Sequence, residues 1–207
     1  MSRWWRGRAV SVGVLLGTLA GCQRGGPSLP APGAELHFLV DGQLRRRVSA
    51  TELVALAAPH EAVTDDPYYG KRKRFWAVPL APVLAAIFSP GELQGVPLIL
   101  RARDGYTVPI DAGQFLSGGA QIALADLDKP GWEPIGPQQA NPAPFYLFWT
   151  SASERNLDTH PRPWQLTSIE RVPLAQVFPL AHPVGLAPDD PAMRGFGLFA
   201  SLCIRCH

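Results

Sequence analysis

The residues best equipped for chemistry stand together in Cys203-Ile204-Arg205-Cys206-His207. Two thiols three apart, followed at once by an imidazole, suit covalent haem. Two thioethers fix the vinyl edges of the ring, and the adjacent histidine reaches iron from one side. In that chemistry Cys203 and Cys206 hold haem c, and His207 is the axial ligand of its iron. The same residues have rival uses. Zinc would take both thiolates and His207, but it needs a fourth ligand, usually from a second paired knuckle. A thiol–disulfide oxidoreductase places its Cys-x-x-Cys after a strand and at the start of a helix, whereas here a helical pattern precedes the motif. A plain disulfide, or two free thiols, is the remaining alternative.

The element that must position the motif begins at Asp190-Pro191. An aspartate that accepts from the first turn, with proline at the first helical position, is a strong helix start. From there Phe196, Phe199, Cys203 and Cys206 recur at spacings of three and four, which predicts one helix face carrying two aromatics and two thiols. Such a face can lie along a flat apolar ring. Gly195 stands eight residues before Cys203 and Phe199 four before it, in "GFGLFASLCIRCH". That stretch resembles the first helix of class I c-type cytochromes. The resemblance implies haem c and electron transfer, and it covers only the start of such a domain. Family members take a second axial ligand, usually methionine, from further along the chain. Met193 lies on the same helix, ten residues before Cys203, and is poorly placed to cross to the other side of the ring. Residues 191–207 are therefore expected to be a cytochrome c domain truncated after its first helix.

The opposite end speaks to location. "MSRWWRGR" carries Arg3, Arg6 and Arg8 and no acid, and an uncharged run of twelve residues, "AVSVGVLLGTLA", follows. That run is too short to cross a bilayer as a stable helix and has the form of an export signal. Leu19-Ala20-Gly21-Cys22 resembles the bacterial lipobox, in which the cysteine thiol is acylated and becomes the new N-terminus. The resemblance implies a signal peptide over 1–21, lipidation at Cys22, and an exported protein anchored by lipid to the periplasmic side of the envelope. The competing possibility is an ordinary signal cut elsewhere. Loss of residues 1–21 removes three arginines and turns a net charge of +2 into −1. A near-neutral chain outside the cytoplasm has no electrostatic case for nucleic acid. Its expected partners are redox proteins and, through the anchor, the membrane.

Between these ends the chain must fold without sulfur. Its three cysteines are Cys22, Cys203 and Cys206, so nothing from 23 to 202 forms a disulfide or a thiolate–metal bond. Residues 22–34, rich in Gly, Pro and Ser, predict an extended tether, and 181–190 has linker composition. With 46% hydrophobic residues, 22 prolines and 20 glycines, residues 35–180 predict one loop-rich, strand-containing domain of α+β class. Asp41-Gly42 and Asp104-Gly105 each sit between apolar runs as hairpin turns. Ser49 with Glu52 makes a capping box before a short helix. "RFWAVPLAPVLAAIF" predicts a strand end and a helix, and "AQIALADLD", "PFYLFWT" and "WQLTSIERVPL" predict buried strands.

The order "FWAVPLAPVLAAI", "ARDGYTVPID", "PFYLFWT", "PWQLTSIERV" is similar to the molybdopterin-binding domain of the sulfite-oxidase-like family. The resemblance implies that fold over roughly 35–178. Catalytic members hold molybdenum through a cysteine thiolate, and this span has none, so the resemblance carries the fold and argues against the enzyme. His37, His60, His160 and His182, with Asp65, Asp66, Asp104, Asp111, Glu154 and Asp158, form no recognisable catalytic motif. Arg155, Asp158, His160 and Arg162 share a polar segment (153–164) expected to be a solvated loop. The basic run in "YYGKRKRFW" is expected to be a solvated strand or a patch for an acidic redox partner. The sequence thus points to an electron carrier rather than a catalyst, with a non-haem binding or scaffold lipoprotein as the alternative.

Overall fold

The computed structural model of the chain describes residues 27–203. Within them, Asp41 and Gly42 both take positive φ, 49° and 81°, the left-handed pair that a tight hairpin requires. They fold strand β1 (Glu35–Val40) back onto β2 (Gln43–Ser49). Ser49 then caps helix α1 (Ala50–Leu56): its hydroxyl accepts from the Glu52 amide, and the Glu52 carboxylate accepts from the Ser49 amide. A second hairpin pairs β3 (His60–Asp66) with β4 (Lys71–Pro79), and β4 runs directly into α2 (Leu80–Ile87). Asp104-Gly105 lies between β5 (Pro97–Ala102) and β6 (Thr107–Asp111). The Asp111 side chain accepts from Gly113 and starts α3 (Ala112–Leu116). Strands β7 (Ala120–Asp126), β8 (Tyr146–Trp149) and β9 (Leu166–Arg171) follow, then α4 (Leu174–Val177) and α5 (Pro191–Leu198).

The class is α+β, as the sequence predicts. The strands form a five-stranded sheet in the order β2-β1-β9-β5-β6 and a four-stranded sheet in the order β3-β4-β7-β8. Only the β1–β9 pair is parallel among the ladders described. The main core combines Leu36 and Phe38, Leu98 and Leu100, Ile122 and Leu124, and Leu147 and Trp149 with Leu80, Val83 and Leu84 of α2. A second core lies on the other face of the four-stranded sheet, where Phe75, Ala77, Ala123, Tyr146 and Phe148 meet Tyr69, Trp132 and Ile135. Successive residues of β8 therefore enter different cores, since strand side chains alternate. This explains why "YLFW" and "AQIALAD" read as unbroken buried runs rather than alternating ones; all seven residues of β7 are buried.

The same alternation bears on the basic run: Lys71, Arg72 and Arg74 lie exposed on strand β4, as expected of a solvated strand, and Lys73 is the exception. Lys73 lies two residues before Phe75 and points inward with it, fully buried. Its ammonium donates to Asp126 at 2.7 Å and Glu133 at 3.0 Å, and lies over the rings of Tyr69 and Phe75 at 4.8 and 5.6 Å. Burial opposes the charged ammonium, but the hydrogen bonds and charges of Asp126 and Glu133 outweigh it and raise the Lys73 pKa. Lys71 pairs with Glu133 and Arg74 with Asp128, which leaves Arg72 as the member of the run without an ion pair or side-chain hydrogen bond in the structure. The run is thus a solvated strand with one buried cation, and Arg72 is its one unpaired charge among the described residues.

Removing one member of a buried ion cluster leaves the others uncompensated, at a cost of about 3–5 kcal/mol. Lys73→Met is expected to lose that much in equilibrium urea unfolding; an unchanged midpoint would show that the cluster contributes nothing. Glu92 generates a second expectation. Hydrogen bonds from Arg45, then from the Ser89 amide and hydroxyl, pull its pKa from an ordinary 4.5 down to about 2. A depressed carboxyl contributes stability that is complete above its unfolded pKa and lost as pH falls through the folded value. Wild type should therefore lose this increment between pH 4.5 and pH 2, and Glu92→Gln should flatten that part of a plot of urea midpoint against pH.

Candidate functional site

Helix α5 starts where the sequence places it: Asp190 accepts from the Ala192 amide at 2.8 Å, and Pro191 is its first residue. It continues as a π-helical turn over Phe199–Cys203 that packs beside β6. The Ser201 hydroxyl donates to the Gly197 carbonyl at 2.8 Å, a back-bond that competes with the regular ladder and bends helices. Single π turns are rare and recur at functional sites.

The predicted common face is divided. Phe196 and Ala200, four apart, face the domain and are buried, and Phe196 meets His182 edge-on at 5.0 Å. Phe199 falls on the flank of that contact, 39% exposed, beside Leu198 at 63% and Leu202 at 49%. Cys203 is an exposed free thiol. Cys206 and His207, like Cys22 and the signal segment 1–21, lie outside the described residues. The outward side of this helix end thus offers a thiol among uncovered apolar side chains, which is what a flat apolar macrocycle attached by thioethers needs. An ideal Cβ at Gly195 or Gly197 meets nothing within 4 Å. Neither glycine is required by packing among the described residues, although each costs about 1 kcal/mol relative to alanine in a helix.

The candidate residues of the main domain are dispersed, and most have a local task. Asp104 accepts from the Tyr106 amide and Asp111 from Gly113, both at short range along the chain. Glu154 closes a capping box with Ser151. Asp65 approaches Arg155 at 3.8 Å with both side chains exposed. His37 lies 3.5 Å from Glu35, His60 is exposed, and His160 meets the Trp149 ring edge-on. Asp158 ends up in a turn in which its amide donates to Asn156. Among the described residues, no group of three or more His, Cys, Asp or Glu side chains is arranged to hold a metal ion.

Two residues of that set behave differently. Arg162, expected in a solvated loop, is buried together with Asp66. Its guanidinium donates to Asp66 and to the Thr64 hydroxyl, each at 3.2 Å, and to the Trp149 carbonyl at 3.0 Å. Tyr146 donates to Asp66 at 2.6 Å, and burial followed by the Asp66 charge pushes the phenol pKa well up. The loop is drawn inside because Asp66 ends a strand on its inward side, after Ala62 and Thr64, and a buried carboxylate needs a countercharge. Nε of Arg162 has no hydrogen-bond partner; the residue is one of those lining a small cavity of about 60 Å³, with Tyr68, Tyr106 and Trp164. Sequence reasoning missed this pairing, since 96 residues separate its members.

A larger groove, about 880 Å³, opens where Pro27–Ala34 runs past Arg103, Trp132, Asn141 and Pro144. Trp132 and Gln165 both line it with positive φ, 73° and 52°. No protein-family model matches the chain, and no curated protein matches it significantly.

Proposed function

We propose that this chain is a membrane-anchored lipoprotein of the bacterial cell envelope that carries haem c and takes part in electron transfer. A non-catalytic sulfite-oxidase-like domain stands ahead of its haem segment. The observation that carries this proposal is the exposed Cys203 thiol opening Cys-x-x-Cys-His, beside uncovered Leu198, Phe199 and Leu202. Cys203 and Cys206 would hold the ring edge, and His207 would bind the iron. Haem c supplies one-electron redox chemistry when bound.

The chain's own residues do the positioning. The Asp190 cap starts the helix, and the buried Phe196 and Ala200 with the turn beside β6 seat it against the domain, so a group attached at its end has a defined seat. Leu198, Phe199 and Leu202 provide apolar cover that excludes water from one flank. The sulfite-oxidase-like assignment is supported by element order: a strand running into α2, an Asp-Gly hairpin, an aromatic strand and a closing strand. The absence of cysteine from 23 to 202 supports a domain without the family's molybdenum chemistry. Redox proteins are its proposed partners, and nucleic acid is not among them.

Expression with the cytochrome c maturation machinery should give a band that stains for haem on a denaturing gel and a c-type pyridine haemochrome spectrum. Replacing Cys203 and Cys206 with alanine should abolish the stain. An unstained band in which both thiols remain alkylatable would overturn the electron-transfer assignment and leave the scaffold lipoprotein. Cys22→Ser should separately release the protein from membranes or block its processing; unchanged membrane attachment and an unchanged processed N-terminus would refute the lipid anchor.

A further inference from the structure

We propose that the face containing the Pro27–Ala34 groove is the surface this protein lays on anionic lipid headgroups. The proposal rests on the lipid anchor at Cys22. Five Cα–Cα steps separate Cys22 from Pro27, and at about 3.6 Å each they span at most about 18 Å. From Pro27 to Ala34 the chain lines the groove, and Ala34 packs on the main core. An acylated Cys22 therefore brings this groove, rather than an arbitrary side of the domain, close to the bilayer.

What the groove presents matches a headgroup layer. Its other wall includes Pro130, Gly131 and Trp132, the tip of a loop held with unusual firmness. The buried Asp126 carboxylate accepts from the amides of Asp128 at 2.9 Å and Lys129 at 3.2 Å on one side of the tip. It also accepts from the Glu133 amide at 3.0 Å on the other. Lys73 neutralises that carboxylate from below. Trp132 sits at φ 73°, a costly conformation for a bulky residue, with its ring 5.9 Å from Phe75. The clamp thus presents Lys129, Pro130 and Gly131 to solvent in one fixed shape.

Charge points the same way. Among the described residues, the arginine and lysine side chains without a hydrogen bond or ion pair in the structure are Arg72, Arg103 and Lys129. Arg103 lines the groove and Lys129 belongs to its loop. The nearby acids Asp126, Asp128 and Glu133 are already engaged by Lys71, Lys73 and Arg74. Arg103 and Lys129 thus stand at this groove as cations without a carboxylate partner, and the neighbouring Asp104 carboxylate accepts from the Tyr106 amide. Tryptophan with lysine and arginine is the side-chain set that settles at headgroup level, and each cation there strengthens attachment to anionic lipid.

The test uses the chain from residue 22 onward, and its Cys22→Ser form is produced without residues 1–21. Vesicles of phosphatidylcholine, with and without phosphatidylglycerol, are mixed with the Cys22→Ser form, so that the face is read without the anchor. Partitioning should require phosphatidylglycerol, weaken with salt, and fall about fivefold for each of Lys129→Gln and Arg103→Gln. Arg72→Gln, which removes the unpaired cation away from this groove, should leave it unchanged. Headgroup-nitroxide lipid should quench the acylated protein's tryptophan fluorescence, and Trp132→Phe should remove most of that quenching. Equal partitioning for all three glutamine variants, or quenching indifferent to Trp132, would overturn the proposal. So would a requirement for a membrane protein in place of anionic lipid. Failure of the acylated chain to float with vesicles would instead refute the Cys22 anchor, a result separate from the partitioning of the Cys22→Ser form.

Discussion

A sheet face buried beneath a core has nowhere to place a polar side chain except inside, and this constraint organises much of the protein. Strands β7 and β8 and the end of β4 are covered by the main core on one side and by the aromatic cluster around Phe75 on the other. Strand β3 and the start of β4 are buried on one side and keep Glu61, Asp65, Arg72 and Arg74 outward. Each charge they carry inward must find its opposite. Lys73 finds Asp126, and Asp66 finds Arg162. Both pairs are fully buried, and both carboxylates also accept backbone amides. Those extra hydrogen bonds matter, because Coulomb attraction alone seldom offsets the desolvation of two charges.

The ion pairs also shape what lies outside the sheet. Asp126 grips both ends of the loop that carries Trp132, and Asp66 turns the chain toward Tyr68 and Tyr69. Trp149 joins the Asp66–Arg162 network to the core. Its ring stacks on Phe115, its indole N–H donates to the Pro161 carbonyl, and its own carbonyl accepts from Thr64 and Arg162. A domain with no cysteine between 23 and 202 replaces covalent staples with such long-range polar links. The terminal helix is attached more lightly, through Phe196, Ala200 and the edge strand β6. That lightness leaves the Cys203 side of the helix uncovered.

Much of the architecture was legible along the chain. Asp-Gly turns, the Ser49–Glu52 box and the Asp190-Pro191 helix start are local devices, in which a few neighbouring residues satisfy one another. Their outcome does not wait for the rest of the fold. The Cys-x-x-Cys-His motif and the "LAGC" stretch are likewise read from adjacent residues. The alternation in "KRKRF" was a usable signal as well. Lys73 is in phase with Phe75, and that phase alone would have turned it inward.

What the tertiary structure decided is the set of partners that lie far apart in sequence. Nothing near Arg162 announces Asp66, and the loop reads as solvated until the sheet is assembled. The parallel pairing of β1 with β9, and the assignment of alternate residues of β8 to separate cores, depend on how two sheets close over each other. The same holds for the terminal helix. Its spacing predicts a face shared by Phe196, Phe199 and Cys203, and packing divides that face, because the domain offers a contact centred on Phe196 and Ala200. Local hydrogen bonds and strand or helix period are properties of a short stretch, so sequence determines them. Burial depends on which surfaces meet, so only the folded chain decides where a charge or an aromatic ring comes to rest.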